Sequence, residues 1–349
     1  MYQTDELEVW NLAPDVTAQI GAQTIFNVVG RLKSPEKTQR LFYCLNDGPE
    51  KEVFFNPGPK RLGRLENMGD FNIDTIDLES LSTKNQLGFR IVDHNSREKR
   101  FRLSFPCTWY EEKEPKFELC LDGVEHPQRI GQVVDGKWRV GCDERGERCL
   151  EIRREDAGLD RIILFGRYDW TTGYEVLTRL SVMAWTAVTH NVGLVFKWNP
   201  HAQGDGTHLP TQWSTGLGYY YSRSPGLRIR FGVNVHHDVN GNKIGDYIMK
   251  ESPLSFWRWR AGQLGHALLN SILRLKYPFS QIIPGRQYYF RLRVHPERYA
   301  LSVWQVDARE PQPQVEVQAP VERLPHGAVG IIPYNCGVRV YEFNVQPIK

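Results

Sequence analysis

Apolar residues in the first hundred positions come in short runs that are separated by turn residues. Asn46-Asp47-Gly48 and Asn56-Pro57-Gly58-Pro59 are two of these separators, and both are rich in residues that favour turns. Aromatic and β-branched residues fill the intervening runs, which predicts strands. The predicted strands are residues 24–32, 40–45, 52–55, 70–76, 88–92 and 101–105. Short strands with turn signals between them are typical of a β-sandwich.

The fourth of these runs shows the alternation expected of a strand. Phe71 and Ile73 fall on one side of it, and Asn72 and Ile76 fall on the other. Successive side chains of a strand point to opposite faces of the sheet, so this run is predicted to be a regular strand of the sandwich.

A loose motif in the same part supports a particular kind of sandwich. The segment from Arg61 through Gly69-Asp70-Phe71, followed by the strand entered at Asn85, resembles bacterial immunoglobulin-like modules. The resemblance implies an immunoglobulin-like β-sandwich over residues 1–106 that acts as a spacer or as a support for a neighbouring domain. No chemistry is predicted for this part.

Residues 107–116 are predicted to be a linker, because charged residues and Pro115 interrupt the strand pattern there. From residue 117 to residue 349 the chain again shows strands, with longer connections. A chain of 349 residues exceeds what one hydrophobic core usually organises, which also favours two domains.

Composition adds limits on function. Aromatic residues make up 12% of the chain, which favours sheet and leaves rings available for a binding surface. The formal net charge of +3 is too small to indicate a nucleic-acid partner. No run approaches the length of about 20 apolar residues that a membrane span needs. The acidic first ten residues do not resemble a signal peptide, so the chain is expected to be either cytoplasmic or a mature form without its leader.

The six cysteines match no zinc-binding spacing. Cys142 and Cys149 flank a predicted hairpin loop, so they are candidates to face each other across two strands. A disulfide between them and isolated free thiols are both compatible with the sequence, and free thiols are favoured.

Two stretches of the second part carry a family resemblance. The first is residues 174–182 followed by residues 190–198, and the second runs through residues 285–294, 301–304 and 327–345. In order and spacing they resemble the concanavalin A-like lectin and glucanase superfamily, especially its laminin-G-like bacterial members. The resemblance implies an all-β protein in which the immunoglobulin-like sandwich is followed by a concanavalin A-like jelly roll that binds carbohydrate on its concave face.

The resemblance does not fix an activity, because this fold occurs in lectins, glycosidases, lyases and adhesion modules. Glycosidases of the superfamily often carry a Glu-x-Asp-x-Glu strand, which supplies a nucleophile and a general acid. This chain has no such strand, and Glu151, Glu155 and Asp156 have the wrong spacing. The hydrolase alternative is therefore disfavoured.

Alternation in three strands suggests a cationic groove. Residues 194–199, 227–236 and 289–295 each place apolar side chains on one side and basic or polar side chains on the other. If the three strands share the concave sheet, their outer faces would suit an acidic polysaccharide, because Arg pairs with carboxylate and sulfate. An ordinary solvated sheet face explains the same pattern. With Trp213 added as a loop aromatic that can stack on a sugar, the predicted ligand-binding residues are Lys197, Trp213, Arg228, Arg230, His236, Arg291 and Arg293.

Two further patterns bear on cofactors and on local structure. Oxygen-bearing side chains alternate at Asp238, Asn240, Asn242 and Asp246, as calcium sites require, but Asn240-Gly241 also predicts an ordinary hairpin, which is favoured. No other cofactor is expected. Residues 261–276 show the only helical spacing of apolar residues.

Three functions are compatible with these features. The first is a carbohydrate-binding protein for an acidic poly- or oligosaccharide. The second is a polysaccharide-active enzyme, most plausibly a uronic-acid lyase, which needs a cation at the carboxylate and a base to remove the neighbouring proton. The third is a structural or adhesion module. The residues that would serve a lyase are Tyr219, Tyr221, His190 and His236.

Overall fold

A computed structural model describes residues 1–198, 200, 216–223, 228–235, 248–251, 282–318 and 326–348; at 216, 221–223, 228–235 and 248–251 only the backbone is described. The predicted helix at 261–276 and the predicted hairpin or calcium loop at 238–246 lie outside the described residues. Within the described part the protein is all-β, as predicted, and it has no α-helix that could cross a membrane.

The described chain contains 24 strands and four short 3₁₀ helices. The strands of the first part are β1 (Tyr2–Gln3), β2 (Leu7–Val9), β3 (Ala18–Ile20), β4 (Ile25–Leu32), β5 (Thr38–Leu45), β6 (Lys51–Val53), β7 (Asp70–Asp77), β8 (Lys84–Asp93) and β9 (Glu98–Trp109). Those of the second part are β10 (Phe117–Glu118), β11 (Gln132–Val133), β12 (Arg139–Cys142), β13 (Arg148–Ile152), β14 (Ile163–Phe165), β15 (Tyr174–Trp185), β16 (Thr189–Trp198), β17 (Gly216–Arg223), β18 (Arg228–Val235), β19 (Ile248–Glu251), β20 (Gln287–Val294), β21 (Arg298–Gln305), β22 (Val315–Gln318), β23 (Ala328–Tyr334) and β24 (Cys336–Pro347). The 3₁₀ helices are Pro35–Lys37, Leu78–Ser80, Pro127–Arg129 and Arg154–Asp156.

Strands β1 to β9 form a sandwich of two sheets. One sheet has the order β1-β2-β4-β7, and the other has the order β3-β9-β8-β5-β6. All of their pairings are antiparallel except that of β3 with β9. A separate core fills the space between these sheets, with Phe26, Phe71 and Phe105 among its largest side chains.

Strand β7 contains a bulge, so the simple alternation predicted for it is wrong at Ile76. In the pairing with β4, Ile73 lies opposite Val28 and Ile76 lies opposite Phe26, so β7 has one extra residue there. An extra residue reverses the face on which the following side chain lies. Ile76 is therefore buried at 3% exposure, on the core side with Phe71 and Ile73.

Strands β10 to β24 form a larger, two-sheet antiparallel jelly-roll sandwich, as predicted. The eight-stranded sheet contains β10 and has the main order β12-β13-β24-β15-β20-β21-β22. The seven-stranded sheet has the order β11-β14-β23-β16-β17-β18-β19. Apolar residues of both sheets pack between them, including Phe196, Phe290 and Tyr220.

The predicted linker is partly strand and is packed against the second sandwich. Residues 107–109 continue β9 and pair with β3, so only residues 110–116 lie between the strands of the two parts. In that segment the Trp170 indole N–H donates to the Glu112 carbonyl at 3.3 Å, and Arg167 donates to the Tyr110 carbonyl at 3.2 Å. These bonds hold the connection to the jelly roll.

All six cysteines are free, which agrees with the favoured prediction. Cys142 and Cys149 do lie on the paired strands β12 and β13, but Cys149 is opposite Gly141 and Cys142 is opposite Arg148. Directly opposed residues share a face and adjacent residues do not, so the two thiols point to opposite sides of the sheet.

Candidate functional site

The three basic strands predicted to form one groove do not share a sheet. Strands β16 and β18 belong to the seven-stranded sheet, whereas β20 belongs to the eight-stranded sheet. Alternation along a strand identifies its polar face but not the sheet that it joins, which is why the sequence allowed a common groove. The predicted groove is corrected accordingly.

Arg291 and Arg293 on β20 are neutralised by two carboxylates. Arg291 Nη1 lies 2.7 Å from Glu310 Oε2, and Arg293 Nε lies 2.7 Å from Glu175 Oε2. Each arginine also approaches the other glutamate at 3.4 Å, so the four side chains form a closed charge ladder. The Arg291 guanidinium lies 5.7 Å from the centre of the Trp304 ring. Both arginines are exposed only in part, and their charge is already balanced.

Lys197 occupies a bulge instead of a solvent-facing strand position. Its φ is 49°, and the pairing of β16 with β23 shifts register between Val195 and Trp198. The side chain is buried at 7% exposure, with Nζ 5.8 Å from the centre of the Tyr299 ring. Burial lowers the pKa of its ammonium group. A side chain held in this way is not on an open ligand-binding face.

The proposed lyase residues His190 and Tyr219 lie on opposite faces of the seven-stranded sheet. Tyr219 is paired with Gly193, and Gly193 lies an odd number of positions from His190 along β16. Side chains an odd number of positions apart on a strand point to opposite faces, and paired residues share a face, so His190 and Tyr219 are on opposite faces. The His190 ring stacks on Trp185 at 4.0 Å between ring centres, and its Nδ1 lies 3.0 Å from the Ala187 carbonyl oxygen. Burial lowers the pKa of His190. The two side chains therefore cannot act on one substrate atom.

The remaining predicted residues are described only in backbone or not at all. Tyr221 is opposite Asn191 and Arg230, and Arg228 is opposite Arg223. The residues outside the described part are Trp213, His236, Asp238, Asn240, Asn242 and Asp246. In the ranges that the structure describes, no group of three His, Cys, Asp or Glu side chains is placed to hold a metal ion.

A cleft of about 760 Å³ lies on the eight-stranded sheet and was not predicted from the sequence. It lies between the β12–β13 hairpin and the turn that precedes β20, and we call it the hairpin cleft. It is lined by Asp143, Glu144, Arg145, Ser181, Met183, Gly285, Arg286, Gln287, Gln305, Val306, Asp307, Arg339 and Tyr341. A volume of this size is typical of small-molecule sites.

Tyr341 anchors one wall of the hairpin cleft. Its hydroxyl donates to Asp143 Oδ2 at 3.4 Å and lies 3.3 Å from Ser181 Oγ. The Arg179 guanidinium lies 5.0 Å from the centre of the Tyr341 ring, and Glu342 fixes Arg179 at 2.8 Å. These contacts set the orientation of the ring before any ligand binds.

The hairpin wall is also pre-organised. The Asp143 carboxylate accepts hydrogen bonds from the backbone N–H groups of Arg145 and Glu147, both at 2.9 Å. Although desolvation acts in the opposite direction, these bonds and the nearby Arg339 lower the pKa of Asp143. The Asp143 carboxylate therefore fixes the conformation of the hairpin turn, and the turn places the side chain of Arg145 beside the cleft.

Charges in the cleft are only partly paired. Arg339 Nη1 contacts Glu144 at 2.6 Å, and its Nε contacts Glu151 at 3.2 Å. Arg145 and Arg286 are exposed, and neither has a carboxylate within 4.0 Å in the described part of the chain. Two cations are thus available at the rim of the cleft.

Sequence reasoning missed this site because its residues come from five separate segments. The only local signals were Gly146 and Gly285, which have φ values of 82° and mark the two turns that flank the cleft. Pairing between β15, β20 and β24 brings these segments together, and that pairing joins residues more than 100 positions apart.

No protein-family model matches this chain, and no curated protein matches it. Several solved structures are similar to part of this chain. A carbohydrate-binding module, CBM66 from Bacillus subtilis, is 10% identical and covers 62% of this chain and 94% of its own, with a TM-score of 0.34. The exoplasmic/lumenal domain of VIP36, with Ca²⁺ and Man3GlcNAc bound, is 8% identical and covers 64% and 87%, with a TM-score of 0.39. An alginate lyase from Klebsiella pneumoniae is 10% identical and covers 60% and 84%, with a TM-score of 0.35. Similarities at these scores assign neither a family nor a function.

Proposed function

We propose that this protein binds carbohydrate in the hairpin cleft. The cleft itself is the observation that supports the proposal. Met183 and Val306 offer apolar surface, and Gln287, Gln305 and Ser181 offer hydrogen-bonding groups beside it. Sugars present apolar C–H faces and hydroxyl groups together, so a wall with both kinds of surface suits them.

The ligand that we propose is an acidic polysaccharide. Arg145 and Arg286 lack a carboxylate partner in the described part of the chain, whereas Arg339 is already paired. An arginine without a partner forms charge-assisted hydrogen bonds with a ligand carboxylate or sulfate. Asp307 also lines the cleft, so a ligand of high charge density would be disfavoured next to it.

For the first sandwich we propose an immunoglobulin-like support, with the jelly roll as the binding domain. Strand order supports this: β2-β4-β7 in one sheet and β9-β8-β5 in the other follow the order of an immunoglobulin sandwich. In this proposal the two domains are residues 1–106, which β9 extends to Trp109, and residues 117–349. Of the residues that would serve a lyase, His190 and Tyr219 do not converge, while the side chain of Tyr221 and the whole of His236 lie outside the described residues.

A glycan array tests the proposal, with neutral polymers, uronic-acid polymers and sulfated polymers. We expect binding to acidic polymers that weakens as salt is raised, because ion pairs at exposed arginines are screened. Ultraviolet absorbance of the unsaturated product is followed on the same polymers, and we expect no increase. Rising absorbance would instead identify a lyase. If the protein neither binds a polymer nor raises the absorbance, a structural module would be favoured.

A further inference from the structure

The tip of the β12–β13 hairpin has no apolar side chain with which to pack on the sheet. Residues 143–147, which we call the hairpin tip, read Asp-Glu-Arg-Gly-Glu. Burial of an apolar side chain therefore cannot fix the tip over the eight-stranded sheet. The position of the tip depends instead on the contacts that its three carboxylates make with side chains of the sheet.

Two of these three contacts are weak. The Asp143 carboxylate accepts from the Tyr341 hydroxyl at 3.4 Å, which is long for a hydrogen bond between oxygens. Glu144 pairs with Arg339 at 2.6 Å, but the Glu144 side chain is 80% exposed. Ion pairs at such exposure contribute little free energy. Neither contact holds the tip firmly.

The third contact joins Glu147 to Arg179 on β15 and is bidentate. Arg179 Nη2 lies 2.5 Å from Glu147 Oε1, and Arg179 Nη1 lies 3.3 Å from Glu147 Oε2. The Arg179 side chain is only 13% exposed, so solvent screens its charge less than that of a surface arginine. The hydrogen bond from Arg179 lowers the pKa of Glu147, although burial acts in the opposite direction. Two charge-assisted hydrogen bonds in one pair make Arg179 the main anchor of the tip.

The same guanidinium group holds two other parts of the hairpin cleft. Arg179 Nη1 donates to Gln287 Oε1 on β20 at 2.8 Å, and Arg179 Nε donates to Glu342 Oε1 on β24 at 2.8 Å. The guanidinium also lies 5.0 Å from the centre of the Tyr341 ring. Gln287 and Tyr341 line the cleft, whereas Arg179 does not. One side chain outside the lining therefore contacts residues from three segments that form the cleft.

Arg179 also decides which end of the Gln287 amide is available. A guanidinium group has only donors, so Gln287 must turn its carbonyl oxygen towards Arg179. The other end of the amide, Nε2, donates to Glu147 Oε2 at 3.4 Å. With the carbonyl oxygen occupied, the remaining N–H is the group that Gln287 can offer to a ligand. A donor at this position suits a carboxylate or hydroxyl oxygen of the ligand.

We propose that Arg179 is a positioning residue of the hairpin cleft: it holds the hairpin tip, the Gln287 amide and the Tyr341 ring together and so sets the shape of the cleft before a ligand binds. Arg179 acts through these groups and does not contact the ligand. The role in ligand binding rests on the proposed function, whereas the anchoring of the tip is measured without a ligand.

The variant Arg179→Lys tests the proposal. Lysine keeps the positive charge, but its single nitrogen cannot span the three acceptors that the guanidinium group reaches. Arg291→Lys is the matched control, because Arg291 lies on the same sheet, is 22% exposed and contacts two carboxylates and an aromatic ring. Arg291 does not line the cleft. A general loss of stability affects both variants, so a difference between them reports on the cleft.

A second turn in the chain supplies an internal reference. In the β8–β9 turn, Asp93 Oδ1 accepts from the backbone N–H groups of Asn95 and Arg97, both at 2.8 Å. Asp143 Oδ1 accepts from Arg145 and Glu147 in the same way in the hairpin tip. The first two are the reference amides and the last two are the tip amides. The turns have the same hydrogen bonds but lie in different sandwiches.

Hydrogen exchange of the ligand-free full chain measures the anchoring. Relative to the reference amides, we expect the tip amides to exchange about three- to tenfold faster in Arg179→Lys than in the wild type, because the charge-assisted pair with Glu147 is lost. In Arg291→Lys they should exchange at the wild-type rate. Wild-type exchange of the tip amides in Arg179→Lys would overturn the proposal.

Calorimetry with a polyuronate measures the consequence for binding. The affinity should fall about three- to tenfold in Arg179→Lys and stay unchanged in Arg291→Lys. Unchanged or tighter binding by Arg179→Lys, with faster exchange of the tip amides, would show that the tip is anchored but does not shape the site, which would also overturn the proposal. If the wild type binds no polyuronate, the proposed function fails, and the exchange of the tip amides still decides whether Arg179 anchors the tip.

Discussion

Two glycines with the same backbone conformation have very different surroundings. Gly166 has φ of 83°, and a Cβ atom added there would lie 2.0 Å from the Trp170 ring. Gly146 has φ of 82°, and a Cβ atom there would meet nothing within 4 Å. Substitutions at these two glycines therefore distinguish the free-energy cost of a left-handed backbone from the additional cost of steric overlap.

We expect Gly146→Ala to lower the free energy of unfolding by about 1 kcal/mol, because a left-handed conformation disfavours a Cβ atom. Gly166→Ala should lower it by a further ~1–3 kcal/mol, because Trp170 is buried and cannot move without disturbing the core. Urea unfolding monitored by tryptophan fluorescence measures both. Equal losses would show that the packing around Trp170 is not as described.

At the residue scale, the sequence predicted which side chains lie on the polar face of a strand, but it did not predict which residues they contact. Arg291 and Arg293 were predicted on the polar side of their strand, and they lie there. Their partners Glu175 and Glu310 come from other segments, and no local pattern shows that they neutralise the arginines. Arg145 and Arg286, which remain available, had no distinguishing signal in the sequence.

At the element scale, register decides the chemistry of the cysteines. Cys142 is exposed on one face of the β12–β13 hairpin, and Cys149 is buried on the other. Burial raises the pKa of the Cys149 thiol to about 12, as it does for Cys107 and Cys336. A thiol reacts through its thiolate, so these three are expected to be unreactive in the folded protein.

Alkylation at pH 8 should therefore modify Cys120 and Cys142 much faster than Cys149, as read by mass spectrometry of peptides. Mild oxidation of the native protein should yield no peptide that links Cys142 to Cys149. In urea all six thiols should react, which serves as the control. A native Cys142–Cys149 link would contradict the register.

Bulges explain why alternation along the sequence assigned some side chains to the wrong face of their strand. The sequence predicted the longer strands of the first sandwich and several strands of the second, because β-branched runs and turn residues mark them locally. It misplaced Ile76 and Lys197 because a single extra residue in β7 and in β16 reverses the faces. Such an insertion is visible only when the partner strand is known.

At the scale of the whole molecule, the order of strands along the chain does not reveal how they are distributed between sheets. The chain passes from β15 in one sheet to β16 in the other and returns with β20. The sequence therefore predicted a jelly roll but joined β16, β18 and β20 in one groove. The hairpin cleft depends on pairings between distant segments, so it could not be predicted locally.

Isothermal titration calorimetry with a polyuronate and its carboxyl-reduced neutral counterpart tests the central claim most directly. Two double variants are compared: Arg145→Gln with Arg286→Gln in the cleft, and Arg291→Gln with Arg293→Gln in the charge ladder on the same sheet. The cleft variant should weaken polyuronate binding by at least about tenfold, since a charge-assisted hydrogen bond contributes about 1.5–3 kcal/mol. The ladder variant should bind as the wild type does, and the neutral polymer should bind weakly to all three proteins. Loss of binding in the ladder variant with full binding in the cleft variant would contradict the account.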